Sequence, residues 1–248
     1  RPLITGRPFR SVHHTVTKSA LAGGGLIPSP GEISLAHGGV LFLDELAEFK
    51  KSVLEVLRQP LEERKIHINR AHGNYVFPSN FMLAAAMNPC PCGNFPDFSR
   101  CSCTPWQMQQ YLSRVSQPFL DRIDICMEVP RIQYEEIREN IRQETSADIR
   151  KRVEAARNIQ QKRYEGTGVW SNSMLSVGQI EKFCCLGSGE EELMKQAFTA
   201  LSLTARTYHK ILKVARTIAD MEGGGEIGMP HLKEAIGYRT VDKKYWGR

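Results

Sequence analysis

Two adjacent carboxylates, Asp44 and Glu45, follow an unbroken apolar run, Val40-Leu41-Phe42-Leu43. Such a run reads as a strand buried on both faces, as in a parallel sheet covered by helices. The carboxylates then fall at the C-terminal end of that strand, where open α/β sheets bind their ligands. This is the form of a Walker B element. In it, Asp44 would hold a magnesium ion, directly or through water, and Glu45 would polarise the water that attacks a γ-phosphate. The plainer alternative is a strand running into an acidic helix N-terminus, where carboxylates suit the helix dipole.

Other residues carry chemistry of their own. A second apolar run, Phe81 to Met87, ends in Asn88-Pro89. An amide at the tip of a neighbouring strand could orient the attacking water or sense the γ-phosphate, a reading its place favours over a turn opener. Cys90, Cys92, Cys101 and Cys103 follow at once. Four thiolates suit tetrahedral zinc, although the spacing is Cys-x-Cys twice rather than the commoner Cys-x2-Cys. Reduced thiols or a redox pair are the alternatives. Arg122 lies between Asp121 and Asp124 and between apolar anchors. A guanidinium so held could complete a neighbouring subunit's nucleotide site, or pair locally with either acid. Arg206 lies in the first turn of a long late helix, where it does not complement the dipole. From there it could reach a phosphate across a domain cleft. His13 and His14 could bind metal or phosphate, but adjacent side chains point apart on most backbones, which favours a structural or interface role.

The elements that must position these groups are legible from pattern. Residues 1–31 read as loop with a short helix from Lys18 to Leu21, then Gly23-Gly24-Gly25 and Pro28-Ser29-Pro30-Gly31 as an exposed loop. Leu46, Phe49, Val53, Leu54 and Leu57 have helical spacing, limited by Pro60. Residues 65–70 and 74–77 alternate around Ala71-His72-Gly73 as a β-hairpin. Arg64, Lys65, Arg70 and His72 make it basic, suited to a nucleic-acid backbone or to keeping a sheet edge soluble. Thr104-Pro105 opens a helix running to Val115. Ile125 to Val129 reads as a last short strand. From Arg131 the pattern is helical: Tyr134 to Gln143, Asp148 to Tyr164, Ser176 to Phe183, Glu190 to Leu201, Thr204 to Met221 and Pro230 to Gly237, then a tail from Lys243. Two domains are expected, 1–130 and 131–248.

Composition narrows the classes. The 248 residues suffice for a sizeable core, and no apolar run approaches a membrane span. A net charge of +6 permits nucleic acid as a partner without requiring it. Seven cysteines, four of them clustered, favour a reduced cytoplasmic protein with a local metal site over a secreted disulfide scaffold.

Several strings together resemble one family. They are Arg7-Pro8-Phe9-Arg10 with His13-His14-Thr15, Gly31 to His37, Val40 to Glu45, Ala85 to Gly93, Leu120 to Asp124, and Ala205-Arg206 to Glu222. On these the chain resembles AAA+ ATPases of the magnesium-chelatase-like group, which includes ComM-like and YifB-like competence proteins. The resemblance implies an α/β fold: a partial αβα core with a parallel sheet, followed by an all-helical lid. It implies ATP and Mg2+ as cofactors. By it Asp44 and Glu45 are Walker B, Asn88 is sensor 1, Arg122 the arginine finger and Arg206 sensor 2. Residues 23–31 would be the insertion of this clade, and 65–77 its hairpin before sensor 1. Members usually form hexameric rings, and ComM-like members are DNA helicases that drive branch migration.

One feature departs from the family. The Walker A loop, Gly-x4-Gly-Lys-[Ser/Thr], is absent from this sequence. In the family it lies just upstream of the first residue here, so the chain is expected to be the C-terminal part of a longer protein. On its own it should bind ATP weakly or not at all, while the full protein hydrolyses it. A chelatase subunit driving metal insertion into a porphyrin and a non-catalytic regulatory module are the competing functions.

Overall fold

The computed structural model describes residues 6–70, 73–130 and 144–246. The chain divides into two compact units, Arg1–Ile123 and Asp124–Arg248.

The first unit is built on a three-stranded parallel sheet. Its strands are β1 (Phe9–Val12), β4 (Val40–Leu43) and β7 (Met82–Ala85), in the order β1-β4-β7. Register pairs Val12 with Leu43 and Leu43 with Ala85. Gly39, just before β4, is required by close approach: a Cβ there would fall 1.9 Å from the Pro8 carbonyl oxygen, which accepts the Val40 N–H. Between these strands lie two antiparallel hairpins. One joins β2 (Gly23–Gly24) to β3 (Ser29–Pro30), the other β5 (Lys65–Arg70) to β6 (Gly73–Pro78).

The expected strand at 40–43 forms, but its two faces differ. Leu41 and Leu43 are fully buried, as are Leu21, Ile33, Phe49 and Leu57. On the opposite face Phe42 stacks on Phe9, whose ring is 64 % exposed, and Met82 is as exposed. Burial on both faces therefore does not hold among the described residues. The reading of 1–31 as loop also missed β1. Phe-Arg-Ser-Val has no apolar run to announce a strand, and its pairing with β4 depends on residues 31 positions away.

Pro60 does not end the helical stretch after Glu45. After α1 (Lys18–Ala22) and α2 (Glu32–Leu35), helix α3 (Lys51–Leu54) passes through a 3-10 turn, 55–57, into α4 (Arg58–Glu63), with Pro60 in the first turn of α4. In a first turn the missing proline N–H leaves no intrahelical bond unmade. The helix at Thr104 forms as α5 (Pro105–Leu112) with a full capping box between Thr104 and Gln107.

The second unit is built on helices, with one isolated parallel bridge between Leu186 and Ile227 among its described residues; a partial core plus a helical domain is what the resemblance implies. Ser146–Arg163, Val177–Phe183, Ser188–Ala200, Ala205–Met221 and Met229–Trp246 are its helices. Tyr164, Ile180, Ile211, Leu212, Leu232 and Ala235 form the core. The expected strand at 125–129 is not formed. Ile125, Met127 and Val129 are largely exposed, and the Cys126 N–H bonds the Tyr238 carbonyl instead of a strand partner. The last helix passes through Gly237 and continues to Trp246, so 243–246 is not a tail. Glu128 accepts from Lys244 at 2.6 Å and from the Tyr245 hydroxyl, which anchors that last turn. The expected helix at Tyr134–Gln143 lies outside the described residues.

Candidate active site

The C-terminal edge of the parallel sheet gathers three of the residues singled out by sequence. Asp44 and Glu45 follow β4, and Asn88 follows β7; all three are exposed. Backbone bonds stitch the two strand ends together. The Ala86 N–H donates to Leu43 O at 3.0 Å, and the Leu46 N–H donates to Ala86 O at 2.9 Å.

Glu45 is held in a left-handed backbone conformation, φ 53°, ψ 47°. For an L-residue with a Cβ this costs on the order of 1–2 kcal/mol and persists only where the surroundings enforce it. Here fully buried Leu43 lies on one side, and buried Leu46 and Ala47 on the other. The following 3-10 turn is tied down by Arg114, whose Nη1 donates to Ala47 O at 3.1 Å and to Glu48 Oε2 at 2.7 Å. Asp44 Oδ1 accepts the Glu45 N–H at 2.9 Å. The result is a sharp turn that presents two carboxylates to solvent at one strand end. Hard, solvent-facing carboxylate oxygens fit a magnesium ion.

One neighbour escaped the sequence reading. His14 Nδ1 lies 3.0 Å from Glu45 Oε2, although off the line of a well-directed hydrogen bond. The His13 and His14 rings do not diverge as expected but lie 4.1 Å apart, tilted by 33°. His14 also meets Phe49 edge-on. The signal was the register: pairing Val12 with Leu43 carries residue 14 alongside residue 45. Without β1 there was no register to use.

The two arginines are placed differently. Arg122 is folded against its own unit, its side chain 9 % exposed. Its Nη2 lies 2.7 Å from Glu62 Oε1, its Nε donates to Arg58 O at 3.1 Å, and its Nη1 donates to Pro118 O. The local-pair alternative named Asp121 or Asp124; the acid found here is Glu62, brought in by α4. Arg206 is exposed in the first turn of the helix Ala205–Met221 of the second unit.

Cys90, Cys92, Cys101 and Cys103 converge, with their sulfurs all within 4.8 Å of one another. The Asn94 backbone N–H, together with other donors to its sulfur, holds the Cys92 thiol down at about 6. The β5–β6 hairpin exposes Lys65, Arg70 and Tyr75, and Arg70 Nε lies 3.4 Å from Gly25 O, so the two hairpins adjoin. Leu26 and Ile27 at the tip of the first are almost wholly exposed. His72 lies outside the described residues. No helix among them is long and apolar enough to cross a membrane.

Comparison with known proteins follows the same two units. A family model described as magnesium chelatase, subunit ChlI, matches residues 1–137, and one for the ChlI C-terminal region matches 143–239. The chain is 47 % identical over 236 residues to "Competence protein ComM" of Haemophilus influenzae, covering 95 % of the chain and 45 % of that protein. It is 43 % identical over 238 residues to "Uncharacterized protein YifB" of Escherichia coli, covering 96 % and 46 %. An uncharacterized protein of Mycobacterium tuberculosis is 35 % identical over 97 % of the chain and 48 % of its own length. The chain thus spans about half the length of the curated relatives it matches.

Proposed function

Because the chain belongs to the magnesium chelatase ChlI family, and so is of the AAA+ type, we propose that its sheet edge is the hydrolytic part of a Mg-ATP site. The observation that carries this reading is the convergence of Asp44, Glu45 and Asn88 on one edge, with Glu45 held in a strained turn. Asp44 would hold the magnesium ion. Glu45 would orient the attacking water and take up its proton. Asn88 would fix that water or the γ-phosphate from the neighbouring strand. Bound Mg2+ supplies charge neutralisation on the phosphate oxygens. The phosphate cradle is not among these 248 residues, so the chain alone should bind ATP weakly or not at all.

Two arginines would complete the site from outside it. Arg206 would reach phosphate from the helical unit. Arg122 would act on a neighbouring subunit by exchanging its Glu62 partner for that subunit's phosphate. The role of Arg122 calls for a ring, which we take to be hexameric. The four clustered thiols are assigned to a structural zinc ion.

For the whole protein we favour a motor on DNA that drives branch migration during uptake and recombination. The adjoining hairpins support it: they present Lys65, Arg70 and Tyr75 with an apolar tip, a combination suited to a phosphate backbone and bases. So does the printed name of the Haemophilus relative, a competence protein. The test is ATPase activity of the full-length protein with and without single-stranded and branched DNA. Stimulation by DNA is expected. Activity that ignores DNA would move the substrate towards chelatase-type partners, the reading favoured by the family's name. No activity at all would leave a regulatory module.

A further inference from the structure

The cysteine cluster lies next to Asn88 in space as well as in sequence, and its geometry can be read without reference to any relative. Sulfur separations are 3.4 Å for Cys90–Cys92, 3.8 Å for Cys90–Cys101 and 3.6 Å for Cys92–Cys101. Tetrahedral zinc with Zn–S near 2.3 Å places its sulfurs about 3.8 Å apart. Disulfides need about 2.05 Å, so these contacts are not bonds. The backbone is turned inward to the sulfurs: the Phe95 N–H points to Cys90 Sγ at 3.4 Å. Such N–H···S contacts are the outer support expected around a thiolate-bound metal.

Two features connect this knot to the sheet edge. The Gly93 N–H closes a turn onto Cys90 O at 3.0 Å, with φ of +73° at Gly93. A Cβ at Gly93 would sit 3.5 Å from Asn88 Cγ, so the turn lies directly against the Asn88 amide. Beyond Cys103 the chain enters α5 at once, and past the end of that helix Arg114 grips the turn that follows Glu45. Pro91, Cys92, Cys103, Tyr111, Arg114 and Glu48 line one shared cavity of about 420 Å³.

We propose that Cys90, Cys92, Cys101 and Cys103 bind one zinc ion that acts as a clasp, setting Asn88 from one side and the Glu45 turn, through Arg114, from the other. The cysteines are positioning residues, and metal occupancy controls how well the edge is assembled. The zinc assignment and the role of Asn88 rest on the reading given above; the coupling between them is new.

The experiment combines metal analysis with backbone hydrogen exchange on the purified chain. About one zinc ion per chain is expected. Cobalt substitution should give the visible absorption of a tetrahedral thiolate site. Stripping zinc with a chelator should speed exchange across 86–95 and 105–115, with recovery on adding zinc, while 205–221 stays unchanged. Absence of zinc together with failure to take it up would overturn the proposal. So would zinc that binds and leaves exchange at 86–95 unaltered. Cys101→Ser with Cys103→Ser should reproduce the stripped pattern. If that variant fails to fold, the reversible stripping of the natural chain still decides. In the full-length protein, stripping should lower kcat several-fold with KM for ATP little changed. A full-length protein with no ATPase, whose exchange still responds to zinc, would refute the hydrolytic reading and support the clasp.

Discussion

Asp44 and Asp220 show two uses of the same side chain. Asp220, in the helical unit, is fully buried and saturated. It accepts from Arg163 Nη1 and Nη2 at 2.9 and 2.5 Å, from Arg216 Nε at 3.1 Å, and from Asn172 Nδ2 at 2.9 Å. Asn172 in turn accepts the Tyr164 hydroxyl at 2.5 Å. Every group in this network has its partner inside the fold, which is how a buried charge is tolerated. Asp44 stands at a strand end with its carboxylate in solvent, next to a glutamate whose backbone is strained. One aspartate is spent on holding helices together. The other is kept accessible, and the surrounding core serves to keep it there. A carboxylate open to solvent at a strained strand end is where binding chemistry is to be sought; a saturated buried one is architecture.

The sharpest way to break this comparison is to remove Asp220. Asp220→Ala strands Arg216, which is 5 % exposed, without its counter-charge. A loss of about 3–5 kcal/mol is expected. Thermal melting should show the helical unit failing about 10 °C or more below the natural chain. Asp44→Ala should leave melting unchanged, and a comparable loss there would make the edge structural as well. A smaller effect has the opposite sign. Glu45→Gly relieves the left-handed strain and should stabilise the first unit by up to about 1 kcal/mol in denaturant titration, after the cost of a freer unfolded chain. The same variant should abolish turnover in the full-length protein. The smallest effect concerns acid. The Ser116 hydroxyl, and then Arg58, hold the Glu55 carboxyl below its ordinary range. Its contribution is therefore present above the unfolded pKa and is lost as pH falls through the lower folded value. Ser116→Ala should move the acid unfolding midpoint of the first unit upward, by a fraction of a pH unit. No movement would show that the bond contributes nothing in solution.

What the sequence made legible was the part written locally. Val40-Leu41-Phe42-Leu43 announces a strand, Thr104-Pro105 a capped helix, and the alternation around Gly73 a hairpin, because each signal is carried by neighbouring residues. What it concealed depends on distant pairing. β1 is a strand because β4 lies beside it, and only that pairing brings His14 to Glu45. Arg122 takes Glu62 rather than an adjacent aspartate because α4 delivers that carboxylate from 60 residues away. Ile125 to Val129 has strand composition but no strand partner among the described residues, and composition alone cannot supply one. The cysteine cluster was visible as a motif, and its closeness to four-coordinate geometry required the fold.

The central claim, that the Asp44–Glu45–Asn88 edge hydrolyses ATP, is tested most directly by Glu45→Gln in the full-length protein. The variant keeps size and hydrogen-bonding capacity but loses the base. It should bind ATP as the natural protein does, measured by calorimetry, while steady-state turnover falls by about 10²–10⁴-fold. Turnover that stays within a few-fold of the natural protein would contradict the account and remove Glu45 from the chemistry.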